Sequence, residues 1–263
     1  MSPIRHTVAD EPFFLVRSLA ASYEAGRSTG RHAHGWGQLI YCSQGVMTVW
    51  TQTGSWVAPP LWAIWVPAGV AHEIRFAGAS ALRTLYLRGD LAAELPAGCC
   101  AMTVSPLMRE LILRTMDFAM LDERRPVHQA MASLIVAELQ RHDAPPFDLP
   151  SPTSAATQAA ADILQAPGGD LPGTESLAHA VGLSGRTLER RFQAETGLSV
   201  AAWGRQARLL QGLRALAAGQ SVKRVAQAAG YRSASAFVAA FRAAFGQTPG
   251  RYFASGTGPT AWP

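Results

Sequence analysis

Three histidines and a glutamine carry the first recognisable chemistry. His32 and His34 are two residues apart, Gln38 lies four further on, and His72 follows a Pro67-Ala68-Gly69 turn. On one extended strand, residues of equal parity share a face, so His32, His34 and Gln38 would point together. Three neutral imidazoles and an amide oxygen could hold one divalent transition metal with an open position, since imidazole suits Zn, Ni, Cu or Fe. The same groups could instead line a ligand pocket through hydrogen bonds, without metal. A second set lies far along the chain: Arg186, Glu189, Arg190 and Gln193, then Ser235 and Arg242. Arg can pair bidentately with guanine, Gln with adenine, and Glu can accept from cytosine.

The elements that must hold the histidines read as strands. From His32 to His72, 41 residues pass without one Asp, Glu, Lys or Arg. Glycines and prolines interrupt the run, and nothing approaches about 20 clean apolar residues, so a membrane span is not expected. The start of the chain has no apolar signal core, and the three cysteines (Cys42, Cys99 and Cys100) make no disulfide framework. A cytoplasmic protein is expected. Gln38–Cys42, Val46–Thr51, Trp62–Val66 and Leu82–Leu87 read as short strands, with a hairpin turn at Gln52-Thr53-Gly54. Closely spaced short strands predict a small barrel or sandwich. The polar pattern resembles the cupin barrel: His-x-His, three residues, a ligand, six residues, Gly45, then Pro-x-Gly, two residues, His. Where cupins usually carry Glu and Asn, this chain has Gln38 and Phe76.

After the strands the period changes. Leu107, Leu111, Met116 or Met120, then Val127, Met131, Leu134, Ile135 and Leu139 fall at helical spacing, with Pro126 separating two helices. So wide an apolar stripe must cover the barrel or another subunit, which leaves homodimerisation open. His142–Thr153 then carries four prolines in 12 residues and reads as a linker.

Charge divides at that linker. The net charge of +5 splits into −1 for residues 1–150 and +6 for residues 151–263, whose 11 basic residues all lie between Arg186 and Arg251. A near-neutral half joined to a basic half suggests one part that senses and one that meets a polyanion.

The basic half contains one unit twice. Ala178 and Gly182 match Ala226 and Gly230 at an offset of 48; Leu188, Phe192 and Gly197 match Phe237, Phe241 and Gly246 at 49. Each copy reads as a short helix, a turn glycine and a serine cap (Ser184, Ser233) opening a second helix. Two helices crossing over a tight turn make a helix-turn-helix, which presents its second helix to the DNA major groove. At 100° per residue, with Leu188 and Phe192 inward, Arg186, Glu189, Arg190 and Gln193 face outward. Around Phe237, Phe241 and Phe245 the outward set is Ser235, Ala239 and Arg242, which is poorer in base readers. Ser199–Ala217 reads as one helix of about 27 Å joining the copies, in which Gly204 and Gly212 each cost about 1 kcal/mol. Thr248-Pro249 opens a last helix to Phe253.

The run from Val225 through Gly230-Tyr231, Phe237, Phe241-Arg242 and Phe245-Gly246 to Thr248-Pro249 resembles the signature of AraC-type transcriptional regulators. Leu177–Ser199 resembles their first helix-turn-helix. The resemblance implies an α+β two-domain protein: an effector-binding cupin-like barrel over 1–100, a helical pair over 101–142, a linker over 143–153 and a double helix-turn-helix over 154–256. It implies double-stranded operator DNA and a small-molecule effector as partners, and RNA polymerase if the protein activates. Ala239 stands where many members carry a polar or basic reader. The competing reading is a metal-dependent cupin enzyme with an accessory DNA-binding domain, which leaves the basic repeat unexplained. Alkylation repair would need a cluster of zinc-bound thiolates, which three scattered cysteines do not supply.

Overall fold

A computed structural model describes residues 13–60, 62–140, 148–166 and 171–254. The first part runs β1 (Phe14–Tyr23), β2 (Gly37–Gln44), β3 (Met47–Trp50), β4 (Gly54–Ala58), β5 (Trp62–Val66), β6 (Glu73–Phe76), β7 (Ser80–Leu87), a short α1 (Gly89–Ala92) and β8 (Cys100–Thr103). Next come α2 (Pro106–Phe118), β9 (Met120–Asp122), α3 (Pro126–Gln140) and β10 (Asp148–Pro150). The second part is helical: α4 (Ala155–Gln165), α5 (Thr174–Ala180), α6 (Gly185–Thr196), α7 (Val200–Ala217), α8 (Val222–Ala228), α9 (Ala234–Phe245) and α10 (Pro249–Ala254). Among the described residues no helix is long and apolar enough to cross a membrane.

The strands form two antiparallel sheets, ordered β8-β5-β2-β7-β1-β9 and β10-β4-β3-β6. The period of two sorts each strand. In β2, Leu39 and Tyr41 join Trp65 and Leu85 in a layer with Met108, Ile112 and Ile135 of α2 and α3. Ile40 and Cys42 join Ile64, Val66 and Leu82, and meet Met47, Val49, Ile74 and Phe76 of the other sheet. The larger sheet is therefore covered on both faces, and this accounts for a strand sequence with no charge in it. Phe76 fills the interior by stacking on Tyr23, ring centroids 4.1 Å apart.

Three sequence expectations change here. Met120 is not helical: it opens β9, which pairs with β1. The helical stripe is split, because Leu111, Met131, Ile135 and Leu139 are buried while Leu107, Val127 and Leu134 are exposed. Inside the stretch read as linker, Asp148–Pro150 pairs with β4 as an edge strand, while residues 141–147 lie outside the described residues. Pro150 tolerates this because an edge strand can dispense with one N–H donor.

In the helical part, α7 is the spine. Trp203, Ala207, Leu210 and Leu213 are buried on it, and Trp203 meets Phe192 edge-on at 5.5 Å. Gly204 and Gly212 are packing positions as well as weak helix formers. A methyl group at Gly212 would sit 2.8 Å from the Phe237 ring, and one at Gly204 would lie 3.0 Å from Leu171. Gly212→Ala should therefore destabilise the full chain by about 1–3 kcal/mol in urea unfolding, although alanine is the better helix former. A stabilised variant would show that the second recognition helix is not seated on α7 at this point.

Candidate functional site

The four polar groups of the barrel converge. His32 and His72 exchange both backbone hydrogen bonds, N···O 2.9 and 2.8 Å, as an isolated bridge. His32 and His34 do not lie on a strand of either sheet, as their spacing predicted; they precede β2 in an irregular segment. The His34 carbonyl there is taken by Gly69 N at 2.9 Å, so turn contacts replace the ladder. Gln38 follows in β2 opposite Tyr86 of β7, and Thr84 stands opposite Ile40 on the same interior face. His72 and Gln38 are buried, whereas His32 and His34 are half-buried at the rim.

Hydrogen bonding fixes the tautomers. Nδ1 of His32, His34 and His72 lies 3.0, 2.6 and 2.9 Å from the carbonyls of Gly30, Trp36 and Val70. A carbonyl only accepts, so each Nδ1 carries a proton, and in the neutral ring Nε2 offers a lone pair. Nε2 of His34 and of His72 lie 2.8 and 2.9 Å from the same atom, Gln38 Oε1. The Gln38 amide nitrogen donates to Thr84 Oγ1 at 2.9 Å, and Thr84 donates its own proton to the Leu39 carbonyl. With neutral rings, two imidazole lone pairs and a carbonyl oxygen would face one another with no proton between them. Burial holds the His72 imidazole down to about 4, so that ring stays neutral.

Two chemical states satisfy this set. A cation among the three imidazole nitrogens, which lie within 4.8 Å of one another, would accept all the lone pairs. Alternatively, the Gln38 amide turns over, donates from its nitrogen to both imidazoles, and accepts the Thr84 hydroxyl proton. Donor types and spacing therefore fit a divalent transition metal held by His32, His34, His72 and Gln38. Bound there, such an ion would supply Lewis acidity. Tyr86 packs edge-on against His34 at 5.1 Å, and burial pushes its hydroxyl up to about 12, so it stays neutral.

The cysteines offer little thiolate. Burial pushes Cys42, Cys99 and Cys100 each up to about 11, and all three are unpaired.

The helical part is built from two matching corners. Gly182 and Gly230 both adopt left-handed backbone, φ 71° and 73°, which a glycine enters without steric cost. Just beyond each, the N–H of Leu183 or Tyr231 donates to the carbonyl of Ala178 or Ala226, 2.9 Å in both copies. Ser184 and Ser233 then accept from the N–H of Thr187 and Ala236, capping α6 and α9. Hydrophobic seats match too: Leu188 and Phe192 in α6, Phe237 and Phe241 in α9, all fully buried.

On α6, Arg186, Arg190 and Gln193 are exposed and Glu189 is half-exposed; on α9, Ser235, Ala239 and Arg242 are exposed. The Gln193 amide donates to the Gly197 carbonyl at 2.7 Å, so in this conformation it serves the end of its own helix. Arg191 is exposed too, a basic residue that the two-anchor facing argument left out. Of the 11 basic residues in this half, Arg208 is buried and Arg214 is turned inward; only the remaining nine are exposed. Glu195 accepts from Thr157 Oγ1 (2.6 Å), Ser154 N (3.0 Å) and Thr153 N (2.7 Å). Burial works against its ionisation, yet these donors hold the carboxyl down to about 2, tying α4 to the first recognition helix.

Comparison with known proteins agrees with this layout. Residues 16–150 match the family described as AraC-like ligand binding domain, whose end coincides with the end of β10, and residues 177–255 match Helix-turn-helix domain. The HTH-type transcriptional regulator NimR of Escherichia coli is 31% identical over 223 residues, 85% of this chain and 81% of that protein. RipA of Corynebacterium glutamicum, another HTH-type transcriptional regulator, is 32% identical over 117 residues, 44% of this chain and 35% of its own. The transcriptional activator NphR of a Rhodococcus species is 43% identical over 77 residues, 29% of this chain and 23% of its own. These relatives regulate transcription, which corrects the alternative reading of the barrel as an enzyme. The chain belongs to the AraC family of transcriptional regulators: a DNA-binding regulator, not an enzyme, with a ligand-binding β-rich half and a helical half of two helix-turn-helix units.

Proposed function

We propose that this protein is a cytoplasmic, sequence-specific regulator whose first recognition helix reads most of the operator. Arg186, Glu189, Arg190 and Gln193 are its base readers, and Ser235 and Arg242 act mainly on the backbone. The observation that carries this reading is the repeated corner, with the same left-handed glycine, 2.9 Å bond and serine cap in each copy. We divide the chain as an effector barrel (1–100), a helical pair (101–142), a connecting stretch (143–153) whose Asp148–Pro150 returns to the smaller sheet, and the DNA-binding part (154–256). The effector is a small molecule at the barrel rim, held with a divalent metal on His32, His34, Gln38 and His72. The metal-free pocket, with the Gln38 amide turned over, is the second reading. The exposed stripe of Val127, Ala130, Leu134 and Ala137 on α3 carries no charge and suits a homodimer seam. RNA polymerase is a partner if the protein activates.

Arg190→Ala tests the reader assignment on duplexes selected by the full chain. The expected result is a loss of discrimination at one base pair by about 1–3 kcal/mol, with binding to mismatched duplexes nearly unchanged. A uniform loss across sequences would make Arg190 a phosphate contact.

A further inference from the structure

Arg214 is a cation of the helical half turned toward the sheets. It leaves the last turn of α7 and reaches the outer face of the smaller sheet, where its Nε donates to Thr48 Oγ1 of β3 at 3.1 Å. Its guanidinium lies 5.5 Å from the centre of the Trp50 ring, two residues along the same strand. Nη2 is buried with no hydrogen-bond partner among the described residues, and burial lowers the group to about 10. The neighbouring Arg75 of β6 also approaches Trp50, at 5.6 Å, but its charge is answered by Glu73 at 2.8 Å.

β6 connects this seat to the ligand end of the barrel. It begins one residue after His72, pairs with β3 so that Arg75 stands opposite Thr48, and leads to Gly78. A methyl group at Gly78 would sit 2.6 Å from the Ala217 carbonyl, so the turn after β6 rests directly on the end of α7. The four residues of β6, about 13 Å of extended chain, and the bend after them thus run from the buried histidine to the helix that carries both DNA-binding units. Elsewhere α7 is held through β10: Trp203 Nε1 donates to the Pro150 carbonyl at 2.8 Å, and Gln206 donates to the Asp148 carbonyl.

We propose that Arg214 is the positioning residue of this joint, seating α7 on β3 beside β6 so that the state of the barrel and the bearing of the two recognition helices are coupled. A buried guanidinium with an unanswered N–H is costly, so the seat is poised between arrangements close in free energy. Such an element can be biased from either end, and the coupling must be reciprocal. The inference needs only the DNA-binding and ligand-binding halves of the family, and it stands whether or not metal occupies the histidines.

Hydrogen exchange on the full chain, with and without a saturating selected duplex, reads the coupling from the DNA side. In the wild type, DNA should change exchange in Thr48–Trp50 and Glu73–Phe76 by at least about fivefold, the lower end of ordinary allosteric coupling. In Arg214→Met, of similar length but uncharged, the response should fall below about twofold while duplex affinity stays within about twofold. Arg214→Lys, which keeps the charge, should retain part of the response and guards against a folding defect in the methionine variant. The proposal is overturned if DNA leaves both strands unchanged in the wild type, if Arg214→Met keeps the full response, or if it abolishes DNA binding outright.

Discussion

Raising monovalent salt from about 50 to 200 mM will weaken binding of the full chain to its selected duplex by about a thousandfold or more. Nine basic side chains of the helical half are exposed, and the two that are not are occupied internally. Arg208 Nη1 reaches the Ala229 carbonyl and Arg214 reaches Thr48. If about six of the nine meet phosphates, counterion release gives a log–log slope near −5, which over that salt range yields the stated loss. A slope shallower than about −2 would mean that the exposed arginines do not line one DNA-facing surface.

Gln38→Glu will raise affinity for Zn²⁺ by roughly tenfold or more, and Gln38→Leu, which leaves only the three imidazoles, will lower it. A carboxylate replaces a neutral oxygen at an atom already within 2.9 Å of two imidazole nitrogens, and charged ligands bind a cation more strongly. It also removes the turned-over amide, since a carboxylate has no N–H to offer His34 and His72, and without metal an imidazole must instead take up a buried proton. The glutamate variant should therefore melt lower than wild type in chelator and gain more on adding Zn²⁺, by mass action on the folded state. Titration calorimetry and thermal unfolding measure both. Unchanged zinc affinity in Gln38→Glu would favour the hydrogen-bonded, metal-free pocket.

The repeat was the most legible part of the chain, because its signals are local. A left-handed glycine, a serine cap and an i, i+4 apolar pair each report on a few neighbouring residues, and each appears twice. The strands of the uncharged run were legible for a similar reason, since burial on both faces excludes charge. Features set by distant partners were not legible. β1 carries Arg17, Ser18, Ala20 and Ala21, weak strand formers, and is defined by its ladder with β7. Asp148–Pro150 lies among prolines that read as linker, and only β4 makes it a strand. The histidine set was legible in composition, but His32 and His34 meet His72 through a bridge and a turn, which parity along a strand could not foresee. Gly212 and Arg214 show the same limit. One looks like a helix defect and the other like one more positive charge until the Phe237 ring and β3 are placed against them.

Methylation interference on a selected duplex tests the central claim most directly. Two capped recognition helices held by one helix of about 27 Å predict interference at guanine N7 in two clusters, about one turn or 10 base pairs apart, on one face of the DNA. The cluster under α6 should be stronger, and Arg190→Ala should weaken that cluster alone. A single cluster, or interference scattered around the duplex, would contradict a paired grip on successive major grooves.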